Sequence, residues 1–417
     1  VGMGRGLYES EPAFRDAIDH CDRLLKGWRD ESLHEVLFND SEKIHHTRWT
    51  QPCIFAVQMG LAKVLAERGL VPDVVLGHSV GQYAAACVAG AMSWDDGLHL
   101  ISERGRLIGD LPAGGRMLAV FAPYAQIEAD LGDNHDVSLA AMNGTHVVLS
   151  GTESAVGIVE KQIEQRGIKV TPLTTSHAFH SQLMEPALDP FRQVADQIEF
   201  KPAQLPLVCN VTGKMLDAGV SLSGQYWADH IRQPVQFSTS IQSIQEMGCE
   251  LLLELGPQGV LTRMAAAHWK KPADRVVSCL HQGEDDSESL LRAMAQLYVN
   301  GAAPDFDTMY ERQQCRPVML PTYPFQRRRF WGPDKPRAFH AAFHTAHPLL
   351  GSKISLAGTS NETRYESFIE PDSPPWLPDH EVMGHVVLPG VAYVEMALAA
   401  SGTNHLREVK FEQPLRP

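Results

Sequence analysis

The chain has 417 residues, 44% hydrophobic and 21% charged, an ordinary globular balance, and at roughly 150 residues per domain it predicts two to four units. A net charge of -14 leaves no basic face for phosphates, so nucleic acid is excluded as a partner. No apolar run is long enough to span a membrane, and seven scattered cysteines without a C-x-x-C pair point to a reducing, cytoplasmic setting.

The opening Val1-Gly2-Met3-Gly4-Arg5-Gly6 has neither an initiator Met nor the apolar core of a signal peptide, and reads as a cut inside a longer protein. Residues 9–68 read as helical. Thr50 is placed as a helix cap, Pro52 in the first turn and Gly69 at the end, with Ile54, Val57, Leu61, Val64 and Leu65 at helical spacing. Val74-Val75-Leu76 reads as a short buried strand and Val80 to Gly90 as a small-residue helix. Ser93 caps the next helix, with Asp95 and Asp96 in its first turn. This alternation predicts an α/β core with a mainly parallel sheet.

Residues 117–173 have another rhythm. Strands are predicted at Met117–Phe121, Ser138–Met142, Val147–Ser150 and Ile168–Leu173, and helices at 124–131 and 152–166. The order β-α-β-β-α-β is that of a ferredoxin-like unit, inserted because the α/β pattern resumes afterwards at Leu205–Cys209, Leu251–Leu255 and Val276–Leu280. From about 301 prolines, aromatics and arginines mix without period, notably over 321–331. We read an ordered linker whose aromatics pack on a neighbour; the bland alternative is a flexible basic tail, which is usually poor in aromatics. A further unit begins after Pro336.

Gly77-His78-Ser79-Val80-Gly81 is a G-x-S-x-G pentapeptide between a predicted strand and a predicted helix, the context such a nucleophile turn requires. A glycine-rich turn without function is the competing reading. The turn would present the Ser79 hydroxyl at a helix N-terminus, where the Val80 N–H can hold an oxyanion. A serine nucleophile needs a base, and His180, in Ser176-His177-Ala178-Phe179-His180-Ser181 at a strand-to-helix junction, is the best candidate. A surface or capping histidine is the alternative. Arg104, on the helix opened by Ser93, is either a surface charge paired with Glu103 or Asp110, or a guanidinium fork for a substrate carboxylate. The 19 histidines cluster at His45-His46 and at His340, His344 and His347 without carboxylates or cysteines at ligand spacing, so no metal site is predicted.

Together, Gly77–Gly81, the Arg104-Gly105-Arg106 helix and His177–His180 resemble the malonyl-CoA:acyl carrier protein transacylase family, and more narrowly the acyltransferase domain of modular (type I) polyketide synthases. Gly144, Ser150-Gly151, Trp227, Pro234-Val235, Glu254-Leu255-Gly256-Pro257 and Leu261 fall where that family keeps similar residues. The resemblance implies an α/β, hydrolase-like parallel-sheet core over 1–300 with the ferredoxin-like insertion at about 115–175. It implies Ser79 as nucleophile, His180 as base and Arg104 on the carboxylate of the extender unit. It implies that a backbone carbonyl orients the imidazole, and by position the candidate is that of His230. His177 and Phe179 match the pattern associated with malonyl selection; a bulky Phe179 leaves less room for an α-methyl branch, a difference of only about 1–3 kcal/mol. Gln82 stands where many relatives are acidic, a departure not expected to change the chemistry. The family places a G-Q-G segment, source of a second oxyanion donor worth about 3–4 kcal/mol, just before the point where this chain begins. The expectation is therefore a slow or poorly folded chain from an active parent.

Residues 301–340 are similar to the linker that follows such domains. His347-Pro348-Leu349-Leu350-Gly351, and Asp379-His380-Glu381-Val382-Met383-Gly384 with Pro389-Gly390, resemble the first part of a polyketide synthase dehydratase. That implies an incomplete hotdog-type α+β unit over 341–417, with His380 as a half-site base. The implied partners are malonyl-CoA, an acyl carrier protein bearing phosphopantetheine, and the neighbouring ketosynthase and dehydratase domains. No cofactor is implied in the acyltransferase itself. A serine thioesterase shares the turn but would need an acid and an upstream oxyanion loop that are not found; an inactive scaffold segment is the non-enzymatic alternative.

Overall fold

The computed structural model describes residues 1–132, 135–309, 318–328, 347–355, 358 and 362–417. These fall into two units, Val1–Pro317 and Val318–Pro417.

The first unit opens with helices α1 (Arg5–Ser10), α2 (Pro12–Lys26), α3 (Leu33–Phe38) and α4 (Thr47–Glu67). In α2, Phe14, Ala17, Ile18, Cys21 and Leu25 repeat at three- and four-residue steps and all are buried. Phe14 fills the space above Gly60 of α4, where an added Cβ would lie 2.7 Å from the ring, so the two helices meet at a glycine. The expected cap at Thr50 is corrected: α4 starts one turn earlier with His46 at its N-cap, and the Thr50 hydroxyl donates to the Ile44 carbonyl at 2.6 Å. Pro52 therefore lies inside the helix. It has no N–H for the Arg48 carbonyl, and the Arg29 guanidinium supplies the missing donor at 2.8 Å.

Helix α5 (Gly81–Val88) is followed by α6 (Trp94–Gly109), whose Ser93 cap accepts from the Asp96 N–H at 3.1 Å as expected. Strands β1 (Arg116–Val120), β2 (Val137–Met142), β3 (Val147–Gly151) and β4 (Val170–Leu173) form one antiparallel sheet in the order β2-β3-β1-β4, with α7 (Tyr124–Leu131) and α8 (Glu153–Gln165) between them. This is the ferredoxin-like insertion, with its own core of Leu118, Val120, Ile127, Leu149, Val156 and Ile163.

Past the insertion come α9 (Glu185–Ala195), α10 (Gly224–Arg232), α11 (Phe237–Glu246), β5 (Leu252–Glu254), α12 (Leu261–Ala266), β6 (Val276–Ser278) and α13 (Asp286–Val299). The parallel core is present as two separate pairings among the described residues. Strands β5 and β6 pair in parallel, while the segments expected as strands at Val74–Leu76 and Leu205–Cys209 meet only at a Val75–Leu207 parallel bridge. Glu254 caps α12, accepting from the Val260, Leu261 and Thr262 N–H groups at 2.7–3.1 Å.

In the second unit, Tyr323 and Phe325 are exposed and their rings meet edge to face at 5.3 Å. Packing of linker aromatics was expected to involve Phe330 and Trp331 also, which lie outside the described residues. Two antiparallel pairs follow, β7 (Ser352–Ile354) with β8 (Arg364–Glu366) and β9 (Glu381–Val382) with β10 (His385–Val386), and then α14 (Gly390–Ser401). Among the described residues no helix is long and apolar enough to cross a membrane.

Because Phe14 joins two helices in the largest core, Phe14→Ala is expected to destabilise the first unit by about 3–5 kcal/mol. Phe325→Ala should stay within about 0.5 kcal/mol of the parent. Urea unfolding followed by circular dichroism measures both.

Candidate active site

The turn that carries Ser79 is built by close backbone approach. A Cβ on Gly77 would fall 2.2 Å from the Gln82 nitrogen, so only glycine fits there. Ser79 itself sits at φ 50° and His180 at φ 58°, two of the four non-glycine residues with positive φ among those described. Two buried amides hold the strained turn. Gln82 accepts from the Gly77 N–H at 3.2 Å and donates to the Val208 carbonyl at 3.0 Å, and Asn210 donates to the Gly77 carbonyl at 3.1 Å. The departure at Gln82 is thus structural: a neutral amide both donates and accepts here, which a carboxylate cannot.

Ser79 Oγ lies 2.9 Å from His180 Nε2. On the other side of the ring, Nδ1 donates to the Gln233 carbonyl at 2.9 Å, which fixes the tautomer and leaves Nε2 free to accept the serine proton. The expected orienter is corrected here: the carbonyl belongs to Gln233, not His230. His230 contributes its ring instead, fully buried 6.3 Å from that of His180 and against Tyr83 and Trp227, with neither nitrogen hydrogen-bonded among the described residues. The residue that ends α10 was close in sequence to the right carbonyl, but an oriented main-chain oxygen has no side-chain signature.

Burial, reinforced by the charge of Arg104, pushes the His180 pKa down to about 3. Burial likewise lowers His78 and, more strongly, His230. His180 therefore rests neutral, as a base must.

Arg104 is buried in α6. Its Nη1 donates to Gln51 Oε1 at 2.6 Å, its guanidinium lies 5.9 Å from the Tyr83 ring centroid, and its Nε has no partner among the described residues. Burial pushes its pKa down, partly offset by Tyr83. Glu103 and Asp110, the alternative partners, are taken by Arg106 at 2.8 and 3.2 Å. Arg104 is thus a buried cation with one neutral amide for company, the arrangement that accepts an anion. Gln51 gave no signal in sequence because its role depends on α4 crossing α6.

At the mouth of α5, the Val80 N–H engages no acceptor among the described residues, leaving a donor beside Ser79. His177 is buried, its Nε2 3.4 Å from the Leu111 carbonyl, and its ring lies 6.2 Å from that of Phe179, which packs between the main core and that of the α11 region. The insertion reaches the site through His78, whose Nε2 is 3.1 Å from Asn143 Oδ1 just after β2.

In the second unit, His380 Nδ1 donates to the Val387 carbonyl at 2.7 Å and the ring lines a cavity of about 290 Å³ with Leu388, Tyr393 and Phe411. His347 pairs with Glu395 at 3.1 Å; His340 and His344 lie outside the described residues.

Comparison with known proteins gives the family. Residues 1–304 match the family described as acyl transferase domain, and residues 347–416 match the polyketide synthase dehydratase domain. The polyketide synthase GfsB of Streptomyces halstedii is 38% identical over 435 aligned residues, covering 100% of this chain and 8% of that protein. The curated relatives named by the comparison are much longer, and the chain spans between 6% and 26% of their length. The acyltransferase domain from the second module of the salinomycin polyketide synthase superposes with a TM-score of 0.73 at 38% identity, over 78% of this chain and 76% of that one. MCAT from Streptococcus pneumoniae superposes with a TM-score of 0.64 at 27% identity, over 71% and 96%.

The depressed histidines have a pH consequence. Unfolded, each binds a proton with a pKa near 6.5; folded, each binds it less readily, so their stabilising effect is complete above about pH 7 and is lost progressively as pH falls below about 6.5. While the protein remains folded, Ser79 reactivity toward phenylmethylsulfonyl fluoride should stay level from about pH 8 to about pH 5.5. A rate that falls with a midpoint near 6.5 would contradict a buried, neutral His180. The chain belongs to the acyl transferase domain family, joined here to a segment of the polyketide synthase dehydratase family.

Proposed function

We propose that this chain loads a malonyl extender unit onto an acyl carrier protein in polyketide assembly, through an ester on Ser79. The observation that carries the proposal is Arg104, buried without an ion pair among the described residues and close enough to depress His180. His180 Nε2 takes the Ser79 proton as Oγ attacks the thioester carbonyl of malonyl-CoA. The Val80 N–H holds the oxyanion and Arg104 the distal carboxylate. The C–S bond breaks, CoA leaves with the proton from His180, and malonyl-Ser79 remains. The phosphopantetheine thiol of the carrier protein then gives its proton to His180 and attacks the ester, and Ser79 recovers the proton as it leaves.

His180 is held by a carbonyl rather than a carboxylate, which favours this reading over a Ser-His-Asp hydrolase. His177 and Phe179 form the wall that disfavours an α-methyl branch. An acetyl group would leave Arg104 buried and unpaired, which is costly.

The same reading divides the chain into an acyltransferase at 1–300, a linker at 301–340 and dehydratase sequence at 341–417, with His380 as the base for an α-proton and a hotdog-type fold. It places a ketosynthase in the same polypeptide and requires no cofactor in the acyltransferase. The six described cysteines are all unpaired, as suits the cytoplasm.

Intact mass after mixing the protein with malonyl-CoA, methylmalonyl-CoA or acetyl-CoA tests this. A malonyl adduct that is absent from Ser79→Ala is expected. No adduct on folded protein, or one that survives the substitution, would remove the serine ester.

A further inference from the structure

The nucleophile turn and the base belong to distant parts of the chain, yet their reactive atoms are held at 2.9 Å. Gln233, whose carbonyl orients His180, begins a short extended stretch. Two residues on, Val235 donates to the Ala140 carbonyl at 2.9 Å and accepts from the Met142 N–H at 2.8 Å, which fastens the stretch to β2 of the insertion. One residue further, the Gln236 N–H donates to the Asn210 carbonyl at 2.9 Å. Asn210 is only 2% exposed, and its side chain donates to the carbonyl of Gly77, two residues before Ser79.

We propose that Asn210 is a positioning residue for the transfer reaction. Its main chain grips the base-orienting stretch and its side chain grips the nucleophile turn, so one residue sets the Ser79–His180 distance. The second amide on the turn, Gln82, cannot substitute: it ties Gly77 to Val208 and makes no hydrogen bond to 233–236 among the described residues. Asn210 touches neither Arg104 nor Gln51 by hydrogen bond, so substrate capture is independent of it. The assignment rests on Ser79 and His180 acting as proposed above.

The test compares wild type, Asn210→Ala and Asn210→Asp. Aspartate keeps the volume but cannot donate to the Gly77 carbonyl. Two rates are read per folded molecule, with folding followed by circular dichroism: sulfonylation of Ser79 by phenylmethylsulfonyl fluoride and acylation by malonyl-CoA. Both variants are expected to lose on the order of 10- to 100-fold in both maximal rates, because misplacement of reacting groups is felt steeply. KM for malonyl-CoA should hold. A loss of folded protein with an unchanged rate per folded molecule is the mark of a merely structural role and would overturn the assignment. So would a raised KM at unchanged maximal rate. If wild type itself takes no label at Ser79, the serine-ester reading fails and this one falls with it; if wild type labels and both variants match it, only Asn210 is removed.

Discussion

A cation in the interior without a counter-ion among the described residues is the constraint around which this site is organised. The Arg104 guanidinium has left water for one amide bond to Gln51 and the face of Tyr83. Burial of that kind is costly unless the charge is paired. The neighbouring carboxylates are already held by Arg106. In the proposed reaction a carboxylated substrate would bring the missing charge. The Arg104 charge is also the second cause of the depressed His180 pKa, so in the proposed reaction a carboxylate bound at Arg104 would make His180 a better base. On that proposal selection and activation would share one interaction.

The strain at the Ser79–His180 pair accompanies this buried charge. Ser79 and His180 both hold positive φ, a conformation that non-glycine residues keep only where their surroundings over-determine it. Here Gln82 and Asn210 clamp Gly77 from both of its backbone polar groups, while Gln233 fixes the imidazole. The insertion is part of that frame, since β2 pairs with Val235 and Asn143 meets His78. A sheet with its own core therefore reaches the reactive atoms through the chain segment that orients them.

What was legible in the sequence follows a physical pattern. The insertion could be placed to within a residue or two because its strands are short apolar runs and its helices have Thr or Pro entries, a local signal. The motif residues Ser79, His180 and Arg104 could be named because their chemistry is in their side chains, and the structure brings the first two into hydrogen-bond contact. At Val74–Leu76 and Leu205–Cys209 the expected parallel pairing is present as a single bridge, since a short apolar run does not say how many ladder bonds it will make. The helix start at Thr47 was missed because Pro52 is tolerated by a distant arginine. Gln51, Gln82 and Asn210 carry no local pattern at all; an amide acquires its role only when the fold supplies a donor on one side and an acceptor on the other. Gln233 was hidden for a further reason, because its main chain does the work.

The central claim is that Arg104 makes the site choose a carboxylated acyl group. The direct measurement is the ratio of Ser79 acylation rates with malonyl-CoA and acetyl-CoA, in wild type and in Arg104→Ala. The account predicts a wild-type preference for malonyl of at least about a hundredfold, collapsing or reversing in the variant. An unchanged ratio in a folded Arg104→Ala protein would contradict it and take Arg104 out of the substrate pocket.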